Sequence, residues 1–137
     1  MWMLAIFYLS AQSALGEMTG PPVLMVARKC GHIFEYAALA LLLGRALLYT
    51  WRTHASALSS ALLSRVWGVG VALAALYAMT DEFHQTFVPK RGGRVEDVVL
   101  DTLSAVAALG FWYRWKARQL ESPGPGTGDR ERKSSER

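Results

Sequence analysis

The amino-acid sequence predicts an all-α fold: a polytopic membrane protein built as a four-helix transmembrane bundle with both termini cytoplasmic. Three observations carry that expectation. Apolar runs fall near 1–15, 33–51, 61–80 and 95–115, and the last three reach the roughly 20 residues that cross a hydrocarbon core about 30 Å thick. Of the 15 Lys and Arg residues, ten fall on one side if the spans alternate in direction (Arg45, Arg52, Arg65, Arg114, Lys116, Arg118, Arg130, Arg132, Lys133 and Arg137), and positively charged connections stay in the cytoplasm. Trp2, Trp51, Trp67, Trp112 and Trp115 then all lie at the inner boundary, the headgroup level that indole rings prefer.

Each element follows in order. The first run is short and spans only if it stands nearly upright or the bilayer thins. A cleaved signal peptide fits it less well, because it has no basic n-region and Glu17 stands where a small-residue cleavage site belongs. Gly20-Pro21-Pro22 cannot continue a helix, since proline lacks the N–H donor and fixes φ, so Gly16 to Lys29 is expected to be an outer loop. The second helix carries Lys29, His32, Glu35 and Tyr36 at three- and four-residue spacing on one face. The Arg52 to Arg65 connection is small and polar, with material for a short interfacial helix and with His54 as a solvated loop residue. In the third run Gly68 and Gly70 allow close helix approach. If that helix continues past residue 80, Tyr77, Asp81, His84 and Gln85 share a face, with Glu82 about a quarter-turn away. A turn at Pro89 to Gly93 leads to the fourth helix, where Arg94, Asp97, Asp101 and Ser104 recur along one side. Residues 1–116 thus form the membrane domain. Residues 117–137, ending in ESPGPGTGDRERKSSER, read as a disordered cytoplasmic tail, because so few apolar groups cannot offset the entropy of ordering it.

Composition excludes several classes. A pI near 9.5 suggests nucleic acid, yet the basic residues make no stripe with interleaved stacking aromatics, so no nucleic-acid partner is expected. The single cysteine, Cys30, rules out an internal disulfide and a thiolate metal site. The expected surroundings are the lipid bilayer.

Alternating spans bring the polar ends of helices two, three and four to one side. Charged groups in spanning segments cost at least a few kcal/mol each and normally face one another or a wet cavity, so this cluster marks the candidate site. Three chemistries fit it. His32, Glu35, Asp81 and His84 offer nitrogen and oxygen donors to a divalent metal. His32, Glu35, Asp81, Glu82, Gln85 and Asp97 form an acid–base set, in which repulsion and burial separate the carboxyl pKa values. Lys29, Tyr36, Arg91 and Arg94, with the backbone donors before the fourth helix, suit an anion such as a lipid phosphate or diphosphate. The plain alternative is an ion-pair lattice tying helix ends together, which is the better reading for Arg94 with Asp97 alone.

FYLSAQ, KCGHIFEYAALALLLGRAL and YAMTDEFHQTFVPKRGGRVEDVVLDTLSA together resemble the VanZ-like family of small bacterial membrane proteins, over roughly residues 6–110. The family takes its name from a protein associated with resistance to the glycopeptide teicoplanin. The resemblance implies a multi-pass protein of the bacterial cytoplasmic membrane, with recurrent polar positions at Lys29, His32, Glu35, Tyr36, Asp81, Glu82, Gln85, Arg91 and Asp97. Its implied role lies at the cell envelope, on a component such as a lipid-linked cell-wall precursor. Asp101 and Ser104 stand where the family commonly has Asn and Gly, and Lys90 replaces a usual Gly. A non-enzymatic protein that presents the same lattice to a partner remains the other reading.

Overall fold

A computed structural model describes residues 1–12, 22–53, 58–88 and 92–121, and these form four helices. They are α1 (Trp2–Gln12), α2 (Pro22–Arg52), α3 (Ser60–Gln85) and α4 (Val95–Glu121). Residues 13–21, His54, the Pro89 to Arg91 part of the turn and the tail from 122 lie outside the described residues.

The helix ends follow local chemistry. Pro22 opens α2 because its missing N–H is an orphan in a first turn anyway. Lys29 is therefore already helical, and residues 22–29, expected to be loop, belong to α2. The hydroxyl of Ser59 caps α3 by accepting from the Leu62 N–H at 3.2 Å. The third helix does run on to Gln85, and Ser60 to Arg65, expected in a connection, are its first turns. Glu96 and Asp97 occupy the first turn of α4, where their charge complements the positive end of the helix dipole. That helix passes the expected end of its span and stops at Glu121.

The interior combines the polar Asp81, Glu82, Gln85 and Asp101 and the small Ala40, Ala74, Ala78 and Ala105 with Leu39, Leu63, Val66 and Leu109, whereas Phe34, Leu42, Leu73, Leu76, Phe83, Leu103 and Phe111 point outward. Small residues at helix contacts and large apolar ones on the outside suit helices packing in lipid. Among the described residues, Lys29–Arg52 and Ser60–Gln85 are long and apolar enough to cross a membrane. The acids of α4 lower its apolar character, but it packs against both α2 and α3. Leu109 of α4 is the central knob. It fills a hollow left by two glycines, and a Cβ at Gly44 or Gly70 would stand 2.6 or 2.9 Å from its methyl groups. Gly70 thus serves the close approach expected of it, while Gly68 faces open space.

α1 departs from expectation. The Trp2 indole N–H donates to the Glu35 carbonyl at 3.1 Å, and the Tyr77 hydroxyl donates to the Met3 carbonyl. Trp2 therefore sits in the half of the bundle that holds the polar cluster, not at the opposite boundary with Trp112 and Trp115. The physical reason is length: 11 residues rise only about 16 Å, half of a hydrocarbon core. Ile6 anchors this short helix against Tyr36, Leu39 and Ala78.

Gly93 locks the start of α4 to the end of α3, since a Cβ there would overlap the Glu82 carbonyl oxygen and press on Thr86. Gly93→Ala is expected to destabilise the purified protein by about 1–3 kcal/mol through overpacking. Gly68→Ala should stay within about 0.5 kcal/mol of the parent. Thermal unfolding in detergent checks both.

Candidate functional site

Three helices meet here. α2 brings His32 and Tyr36, α3 brings Asp81, Glu82 and Gln85, and α4 brings Asp101, all buried. The spacing explains the convergence: His32 and Tyr36 are one turn apart, as are Asp81 and Gln85, so each pair stacks on one face.

The centre is the contact between His32 Nδ1 and Asp101 Oδ2, 3.3 Å apart and buried. The His32 ring stacks nearly parallel on Tyr36, with centroids 6.3 Å apart, and Tyr36 meets Tyr77 at 6.2 Å. Beside this column, Gln85 Nε2 donates to Asp81 Oδ2 at 3.0 Å. Glu82 Oε2 accepts the backbone N–H of Arg94 at 2.7 Å, which ties the turn before α4 to α3. One ring nitrogen of His32 and one carboxylate oxygen each from Glu82 and Asp101 all lie within 4.8 Å of one another. Among the described residues, the Tyr36 hydroxyl, Glu82 Oε1 and Asp101 Oδ1 are buried and have no hydrogen-bond partner.

The remaining candidates take up positions around this centre. Glu35 and Asp97 are half-buried. The charges of His32, Asp81 and Asp101 act on Glu35, and that of Asp97 acts on Glu82 and Asp101. His84 is partly buried at the edge of the α3 face, whereas Glu82, expected a quarter-turn off that face, points in. Lys29 is exposed. Arg94 turns its guanidinium outward to Glu96, at 2.9 Å, so the rim pair forms with Glu96 and not with Asp97. Arg91 lies outside the described residues. Ser104 returns its hydroxyl to the Leu100 carbonyl of its own helix at 2.8 Å and takes no part in the cluster.

Asp101 is the residue whose weight the sequence understated. It belonged to the polar set by spacing, yet neither the acid–base nor the metal set included it. Its signal was depth: a carboxylate one turn further into an apolar helix needs a partner, and His32 is the one histidine on the facing helix end.

These features define a helical protein of membrane character with a buried, multi-helix polar site at one end. The family model described as VanZ/LLP1 matches residues 1–116, and the chain belongs to that family. No curated protein and no solved structure matches it.

The His32–Asp101 pair is testable by a double-mutant cycle. His32→Ala leaves a buried carboxylate without its partner and is expected to destabilise by about 3–5 kcal/mol. Adding Asp101→Asn should recover part of that loss. Strict additivity of the two changes in unfolding free energy would mean that the pair is not coupled.

Proposed function

We propose that this chain is a multi-pass protein of the bacterial cytoplasmic membrane whose extracytoplasmic polar site binds or acts on an anionic cell-envelope component. A lipid-linked cell-wall precursor has the required chemistry, and the family's association with teicoplanin resistance is consistent with such a target. The observation that carries the reading is the convergence of α2, α3 and α4 on one buried polar cluster at a single end of the bundle. Stability alone does not account for so many ionisable groups in an apolar body, where well-packed apolar residues would hold the helices equally well. Lys29 and Arg94 supply positive charge toward the rim, and the N-terminus of α4 adds its dipole.

The opposite end supports the orientation. A pocket there is lined by Arg45, Tyr49, Arg52, Trp112, Trp115 and Lys116, and the Lys116 ammonium lies 4.7 Å from the Trp115 ring centroid. Cations and tryptophans gathered at one boundary suit the cytoplasmic headgroup region. We therefore place the C-terminus in the cytoplasm, with α2, α3 and α4 crossing and α1 accompanying only the outer half.

A second reading is favoured by the exposed Arg94–Glu96 bridge: a non-enzymatic interaction protein presenting this rim to a membrane partner. Turnover of a lipid phosphate supports an enzyme, and stoichiometric co-purification of a partner without turnover supports the second reading.

Cys30 is exposed and is the only cysteine, so it reports orientation directly. A membrane-impermeant maleimide should label it in intact spheroplasts. In a Cys30→Ser background, Ser64→Cys should label only after permeabilisation. The reverse pattern places the site in the cytoplasm. For the site itself, Glu35→Gln, Glu82→Gln and Arg91→Ala are each expected to weaken binding of a polyprenyl diphosphate in nanodiscs by about tenfold, or ~1.4 kcal/mol. Unchanged binding in all three folded variants ends the reading.

A further inference from the structure

We propose that His32, Glu82 and Asp101 form a divalent transition-metal site that presents open coordination positions to the anionic ligand. The proposal deepens the outward-facing site described above and rests on that reading for the anionic ligand alone. Three independent features of the geometry lead to it.

The first is the donor set. One histidine nitrogen and two carboxylate oxygens, each from a different helix, lie within 4.8 Å of one another. Two ligands on a tetrahedral zinc ion with bonds near 2.0–2.2 Å stand about 3.3–3.5 Å apart, and His32 Nδ1 and Asp101 Oδ2 are separated by 3.3 Å. An ion between them replaces their contact, and Glu82, with a carboxylate oxygen within 4.8 Å of both, closes the set by a side-chain rotation. Three protein ligands leave a position for water or a phosphate oxygen, the pattern of zinc sites that are not purely structural. The nitrogen donor favours Zn²⁺ or Mn²⁺ over Ca²⁺, which prefers six to eight oxygens.

The second feature lies in the carboxylates. Each has one oxygen held by the protein, Glu82 by the Arg94 N–H and Asp101 by His32. The other oxygen of each is buried and has no hydrogen-bond partner among the described residues, and the residues are 5% and 0% exposed. An unpaired buried carboxylate oxygen forfeits its hydration with no compensation. Arg94, whose backbone N–H holds Glu82, does not supply the missing charge, since it directs its guanidinium to Glu96.

The third is Tyr36, which is not itself a member of the donor set. It is 0% exposed, its hydroxyl has no hydrogen-bond partner, and it lies within electrostatic reach of Asp81, Asp101 and Glu82. A phenol at that position is set to donate to a water or anion held by the ion. The cation also resolves a difficulty of the site: Glu35, Asp81, Glu82, Asp97 and Asp101 repel a phosphate until a positive charge stands among them.

The experiment uses the full-length protein in detergent, stripped with chelator and titrated calorimetrically with Zn²⁺ and Mn²⁺, with metal content read by mass spectrometry. The expected result is one ion per chain. Glu82→Gln and Asp101→Asn should each weaken binding by at least about 100-fold, given that loss of even an outer-shell partner costs 10- to 100-fold, and Glu96→Gln should leave it unchanged. No saturable binding, or binding unaffected in the Glu82→Gln/Asp101→Asn double variant, overturns the proposal. Pulsed electron paramagnetic resonance of the Mn²⁺-loaded parent protein needs no destabilising variant. ¹⁵N-histidine labelling should change the nitrogen coupling, and His84→Gln should preserve it; absence of nitrogen coupling, or its loss in His84→Gln, overturns the assignment to His32. Polyprenyl diphosphate binding, measured separately, distinguishes the two failures. Ligand bound without metal refutes the metal site alone, and metal bound without ligand refutes the anionic-substrate reading alone.

Discussion

The contact between His32 and Asp101 is the constraint on which the rest of the bundle depends. A carboxylate fully enclosed by three helices is tolerated only with a polar partner, and that partner comes from a helix 69 residues away in the chain. The pair therefore fixes the rotation of α2 against α4. A turn of either helix by one residue would swing a side chain through about 100° and expose Asp101 to apolar surroundings. Once α2 and α4 are set, α3 has little freedom, because Glu82 must reach the Arg94 N–H and Gly93 must slide beneath the Glu82 carbonyl.

The apolar half of the bundle is arranged to permit this. Leu109 sits between Gly44 and Gly70, two turns further along α4 than Asp101, and Ala40, Ala74 and Ala105 complete the same layer. Small residues let the backbones approach, and dispersion between closely packed surfaces replaces the hydrophobic effect that lipid cannot supply. The polar cluster specifies register and the small-residue layer supplies contact. Neither suffices alone: polar groups without close packing would admit lipid or disordered water, and glycine and alanine faces without the pair would slip.

The sequence made the larger plan legible and hid the finer rotation. Apolar runs and helical spacing were enough to predict four helices and the meeting of His32, Glu35, Asp81 and Asp97. They were not enough to choose between Glu82 and His84, which lie on opposite flanks of the Asp81–Gln85 line; that choice is made by α4, through the Arg94 backbone and the depth of Asp101. The place of Trp2 was hidden for a related reason. Tryptophan preference describes a boundary, yet a helix as short as α1 takes its depth from whatever will accept its hydrogen bonds, here the Glu35 carbonyl and Tyr77.

The site's electrostatics favour some functions over others. Its rim carries Lys29, Arg94 and the start of α4, while its centre carries carboxylates, one histidine and a buried phenol. Coulomb's law would draw an anion toward such a rim and repel it from unpaired carboxylates at the centre. A proton pathway through the bundle finds no support among the described residues, whose buried interior beyond Asp101 is Ala105, Leu109 and glycine. On the proposed reading, the carboxylates converging from three helices would stand around a cation, and the rim cations would meet an anion arriving from outside.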